Sequence, residues 1–249
     1  MKIGTAIMMV ALTAGTVRAA DIRVMSGGAP KEALAVLTPQ FEKQTGHKVV
    51  FIHAVIGVLR QKLEAGEQAD AALMPIDAID AMVKASRLRA EGRVMLGRLG
   101  VSLVVREGAA KPDISTTENF RKVLLAARSI AHPVGTPSAA NFIKVIEQLG
   151  IAEAVQKKAI HRTALDGGVE LVATGEAEIG VYPTSEVVHV KGVSVVGALP
   201  AAAQPDIVYG GAVSSSAAAP DAAAAFVKFL GAAENRKVWK DAGFDPSAG

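Results

Sequence analysis

Short runs of β-branched and other apolar residues alternate along this chain with longer segments whose apolar positions recur at helical spacing. Residues 22–25 read as a strand and Ser26-Gly27-Gly28-Ala29-Pro30 as a turn. The stretch to Gln44, with Leu34, Leu37 and Phe41 on one face, reads as a helix that Gly46 ends. Residues 49–52 predict a second strand, 53–57 its exit loop and 58–65 a helix. Residues 69–74 predict a third strand, and Pro75 opens a helix at a position where a missing N–H does no harm. In an open parallel sheet such turns lie at the carboxyl ends of the strands, where ligands bind. Residues 101–105 are branched enough for a buried strand, and the pattern then restarts. A strand at 129–131, a turn at 132–138, a helix at 141–149 closed by Gly150 and helices near 152–159 and 169–174 follow. Strands at 179–182 and 193–196, a polar-small segment opening at 209–213 and an amphipathic helix at 221–230 complete an α/β layering.

The amino end changes the picture. Lys2, an apolar run from Ile3 to Thr13 and small residues at Val17 and Ala19 predict a signal peptide over residues 1–19, cut before Ala20, and hence export to the periplasm. The apolar run is too short for a permanent span, and no later window approaches the ~20 apolar residues one needs. Loss of Lys2 and Arg18 takes two from 27 basic residues, against 24 acidic ones, so the mature chain is nearly neutral. Few aromatics and no basic cluster among them exclude a nucleic-acid partner, and any anion selectivity has to come from oriented donors in a local site. The absence of cysteine excludes disulfides and thiol chemistry. The histidines lack ligand spacing, which predicts no metal, and Gly27-Gly28 and Gly167-Gly168 are too short for a nucleotide fingerprint, so no cofactor is expected. Ser214-Ser215-Ser216 lacks the context of a serine nucleophile.

Phe41-Glu42-Lys43-Gln44-Thr45-Gly46-His47-Lys48-Val49, then Leu59-Arg60-Gln61-Lys62 and Leu63-Glu64-Ala65-Gly66-Glu67-Gln68-Ala69-Asp70, resemble the periplasmic molybdate-binding proteins of ABC importers. The likeness continues through Gly100-Val101-Ser102-Leu103-Val104-Val105 and Gly180-Val181-Tyr182. It implies a two-lobed periplasmic-binding-protein-like (type II) clamshell, each lobe a mixed sheet flanked by helices, that closes by a hinge on a small anion. Residues 20–99 and 205–249 would form the first lobe and 100–204 the second. The implied partners are the ligand and an ABC permease, with the protein itself a monomer.

Relatives of this kind hold their oxyanion with serine hydroxyls and backbone N–H groups at helix starts, where fixed donors and helix dipoles favour an anion. The resemblance places Ser26, Gly27 and Gly28 in the first turn, with glycines allowing close backbone approach. The second turn departs from the family: His53-Ala54-Val55-Ile56-Gly57 stands where a serine cluster is expected. One imidazole and apolar surface suit an organic di- or tricarboxylate better than molybdate. Arg60, in the following helix, could grip a second carboxylate bidentately. From the other lobe the resemblance brings Thr136, Ser138, Tyr182 and Thr184, with Asp166 by analogy of its loop. Two functions share this site: carriage of the carboxylate, and an allylic proton shift of the aconitate isomerase type. The second would use His53 as base, with Tyr182 as acid or as partner to the enolate-like oxygen.

Overall fold

The computed structural model describes residues 19–204 and 207–245. The leader expected over residues 1–19 lies, apart from Ala19, outside the described residues.

The chain opens with three strand-to-helix units: β1 (Asp21–Ser26), α1 (Lys31–Thr45), β2 (Lys48–His53), α2 (Ile56–Glu64), β3 (Ala71–Pro75) and α3 (Ile76–Lys84). β4 (Val94–Leu99) follows, and after Gly100 alone β5 (Val101–Arg106) begins a second body. That body contains α4 (Thr117–Ala126), β6 (Ile130–His132), α5 (Pro137–Gln148), α6 (Ala152–Gln156), β7 (Ala159–His161), α7 (Glu170–Thr174), β8 (Ile179–Pro183) and β9 (Val193–Ala198). The chain then returns through β10 (Ile207–Val213), α8 (Pro220–Leu230), α9 (Arg236–Asp241) and β11 (Phe244–Asp245).

Two mixed sheets result. The first runs β11-β4-β10-β3-β1-β2, with β1 parallel to β2 and β3, and β10 antiparallel to β3 and β4. The second runs β7-β6-β8-β5-β9, with β6 parallel to β7 and β8, and β5 antiparallel to β8 and β9. The chain passes between them twice, at Gly100 and through the short turn at Ala201–Ala203. Gln204 ties these crossings together. Its amide donates to Val101 O at 2.7 Å and Leu199 O at 3.1 Å, and its carbonyl accepts from Val101 N–H at 2.9 Å.

Periodicity places the cores. α1 turns Ala33, Leu34, Leu37 and Phe41 inward and stops at Gly46, whose φ of 76° a side chain would resist. Phe41 meets Phe226 of α8 edge-on at 5.0 Å, so the two ends of the chain share one core. Truncating Phe226 there would cost about 3–5 kcal/mol. A second core gathers Leu103, Phe120, Phe142 and Ile146 around β5.

The structure departs from the sequence expectations in three elements. The helix expected from 141 starts at Pro137, with Thr136 as its N-cap accepting from Ala139 N–H at 3.1 Å. The helix expected to 159 ends at Gln156, because residues 159–161 pair with β6. The polar-small segment at 209 is β10, at the centre of the first sheet. Gly210 reads as a strand breaker but is needed: a side chain there would start 2.4 Å from Ile76 Cδ1 and 2.7 Å from Val94 O.

Candidate functional site

The cleft lies where the carboxyl ends of β1, β2 and β3 face those of β6, β7 and β8, the position that α/β topology favours for ligands. It has two compartments that share Ile56, Pro133, Thr136 and Pro137. The inner chamber is tight, enclosing about 30 Å³, and the outer recess is open, with about 490 Å³.

Four segments build the chamber. Gly27 and Gly28 come from the turn after β1, Ala54, Val55 and Ile56 from the turn after β2, Thr136 and Ser138 from the start of α5, and Thr163 and Leu165 from the loop after β7. Glu186, in the 3-10 turn after β8, and Tyr209, of β10, close it. The glycines also leave room for side chains opposite them. A side chain on Gly27 would start 3.0 Å from the Tyr209 hydroxyl, and one on Gly28 2.8 Å from Glu186 Oε1. They make room for a phenol and a carboxyl, while Gly27 N–H is spent on Leu73 O at 3.2 Å.

Among the described residues, no lysine, arginine or histidine lines the chamber, and no donor or cation pairs with Glu186. Burial pushes the Glu186 carboxyl up to about 7. Burial first, and the charges of Glu186 and Asp77 after it, push the Tyr209 phenol well above the usual tyrosine range. The recess carries charge of both signs, lined by Gly57, Arg60, Asp77, His132 and His161. Among the described residues Arg60 pairs with Glu64 alone, at 3.9 Å, and its side chain is 45% exposed. His132 is buried, with Nδ1 donating to Pro133 O at 2.9 Å and Nε2 unpartnered; burial lowers its pKa. Its ring lies 4.8 Å from that of His161.

Of the sequence candidates, Gly27, Gly28, Thr136 and Ser138 meet in the chamber, and Gly57 and Arg60 in the recess. Thr136 and Ser138 also bond each other, Oγ1 to Oγ at 3.0 Å. Five candidates lie elsewhere. Ser26 is buried and turns its hydroxyl to Gly27 O at 3.0 Å. His53 is exposed on edge strand β2, stacked 5.4 Å from Phe51, and lines neither compartment. Asp166 is exposed and accepts from Thr163 Oγ1 at 2.5 Å, leaving its neighbour Leu165 to reach the cleft. Thr184 bonds Ser102 Oγ at 2.8 Å near the crossing at Gly100. Tyr182 is wholly buried, donating to Arg162 O at 2.9 Å from a core with Val104 and Val172. Strand alternation gives the cleft Pro183 instead.

Sequence reasoning missed Glu186, Tyr209 and Leu165. Glu186 had a signal: a lone carboxylate ahead of Val187-Val188, two residues beyond Thr184. Tyr209 is one of only two tyrosines and precedes the Gly210-Gly211 pair.

Two mixed sheets, a cleft at the carboxyl ends of their strands and a glycine-lined contact between lobes define a bilobal ligand-binding protein. The chain belongs to the bacterial extracellular solute-binding protein family, whose model matches residues 22–245. It is 30% identical to an aconitate isomerase of Pseudomonas sp over 230 residues, 90% of this chain and 87% of that one. It is 27% identical to the molybdate-binding protein ModA of Azotobacter vinelandii over 188 residues, 72% of this chain and 73% of the relative. The fold superposes on the periplasmic molybdate-binding protein of Azotobacter vinelandii with a TM-score of 0.75 at 19% identity, covering 90% and 98% of the two chains. No helix among the described residues is long and apolar enough to cross a membrane.

Proposed function

We propose that the cleft takes a small organic di- or tricarboxylate in preference to a tetrahedral oxyanion. The division of the cleft carries this reading: a chamber without cations opens onto a recess with Arg60 and His161. An oxyanion gripped on all sides needs converging donors. Ala54, Val55 and Ile56 offer none from their side chains, and the Thr136 and Ser138 hydroxyls already bond each other. A carbon skeleton suits the chamber wall of Ile56, Leu99, Leu165 and Ile207. Its carboxylates suit Arg60 and the amino end of α5. The chamber is too small for such a skeleton as it stands, so the lobes part to admit it.

Thermal shift against citrate, cis- and trans-aconitate, molybdate, tungstate and sulfate tests the reading. A tricarboxylate at a hundred times its Kd stabilises by about 2.7 kcal/mol; stabilisation by molybdate alone overturns it.

Isomerisation of that ligand is the second reading, favoured by the aconitate isomerase relative and by the unpaired Glu186. Its test is conversion of cis-aconitate to the trans isomer, followed by separation of the two acids. His53→Ala leaves turnover unchanged on this reading, because His53 lies outside both compartments. Binding without turnover supports carriage to an ABC permease by a monomer. Export to the periplasm accompanies either reading, and amino-terminal sequencing of the exported protein beginning at Ala20 supports the cut after residue 19.

A further inference from the structure

Glu186 and Tyr209 reach the chamber from opposite sides. Glu186 stands on the turn Thr184–Glu186 of the second body, and Tyr209 on β10 of the first sheet. They lie over consecutive glycines, the carboxyl over Gly28 and the phenol over Gly27. Neither the Glu186 carboxyl nor the Tyr209 hydroxyl makes a hydrogen bond among the described residues. Ionisable groups that merely support a fold are normally satisfied when enclosed. These two face space that a ligand enters.

We infer that Glu186 is the acid–base residue of an allylic proton shift and that the Tyr209 hydroxyl stabilises the charge that develops beside it. This rests on the isomerase reading above. The Glu186 carboxylate takes a proton from the methylene carbon between the alkene carbon and a carboxylate. That C–H bond breaks, an O–H bond forms, and the electron pair moves into the conjugated system, shifting the double bond by one position. The carboxyl then returns a proton to the former alkene carbon at the far end of the three-carbon unit, restoring the carboxylate. Nothing is oxidised or reduced, and no co-reactant is needed. The Tyr209 O–H donates to the carboxylate oxygen that gains charge in the intermediate, a donor fixed before the reaction begins. The division of the cleft favours this assignment: Arg60 in the recess suits the carboxylates away from the reacting carbon, and the carboxylate on the reacting arm reaches the chamber, where it meets the Tyr209 hydroxyl and no lysine, arginine or histidine among the described residues.

The protonation states agree with these roles. A carboxyl at about 7 is poised to take and return a proton at neutral pH. Tyr209 and Tyr182 are the phenols of this corner, and Glu170, Asp77 and Arg162 are the charged groups that act on them beside Glu186. Both phenols stay protonated through the neutral range, so neither competes as the base.

The test uses the mature protein with cis- and trans-aconitate. Wild-type kcat/KM rises with pH through about 7, as Glu186 deprotonates. Glu186→Gln lowers kcat by roughly 10²–10⁴-fold, while thermal stabilisation by aconitate persists. Glu186→Asp, which keeps the carboxyl, restores part of the rate together with the pH dependence and guards against misfolding of the glutamine variant. Tyr209→Phe lowers kcat by about 10²-fold with little change in KM. Turnover in Glu186→Gln within a few-fold of wild type overturns the assignment alone. Binding with no wild-type turnover overturns the isomerase reading and the assignment with it.

Discussion

Glu186 ties the site to stability through one proton. Its carboxyl is raised from 4.5 to about 7 in the folded protein, so between those values the native state holds a proton that the unfolded chain has released. Stability from this residue therefore falls as pH rises across that window, and the loss is complete above it. His132 acts in the opposite sense: its imidazole is kept neutral by burial, so stability is lost as pH falls below its ordinary 6.5. The difference between wild type and Glu186→Gln isolates the first effect. Melting temperatures at pH 5 and pH 8 are expected to show the glutamine variant gaining on wild type at the higher pH. At this scale the sequence exposed only part of the site. Arg60, Gly57 and the Thr136–Ser138 pair line the cleft, whereas Tyr182 and Pro183 are adjacent in sequence and face opposite ways. Strand pleating separates them, and a shift of one residue in alignment exchanges one for the other.

Among the elements, Asp70 joins three that are distant in sequence. It is 1% exposed and accepts from Arg23 N–H at 2.8 Å on β1, and from Ala218 and Ala219 N–H at 2.7 and 3.0 Å just before α8. Asp70→Ala removes the one acceptor these three N–H groups share, a cost of roughly 3 kcal/mol. A drop in the urea midpoint with unchanged slope would register it. Helical faces such as Leu34, Leu37 and Phe41 were legible because amphipathic spacing is a local property. β10 was not legible. Its glycines carry no strand propensity, and only the approach of Ile76 and Val94 explains them.

For the whole molecule, Gly28 stands where the two bodies meet. Leucine at this position would drive its side chain into Glu186 and Leu165 across the cleft without entering either core. Gly28→Leu is therefore expected to melt within a few degrees of wild type without ligand and to bind aconitate at least about tenfold more weakly. Small-angle scattering is expected to show wild type contracting with ligand and the variant failing to contract.

By itself the sequence determined the α/β alternation, the inward faces of the long helices and a resemblance that fits a bilobal family. Each of these follows from periodicity, or from short motifs read along one segment. Only the tertiary structure decided which side chains share the cleft. Gly28, Leu165, Glu186 and Tyr209 are brought together by two sheets and a double crossing. Local hydrophobic pattern records whether a residue is buried, but not what faces it across a fold.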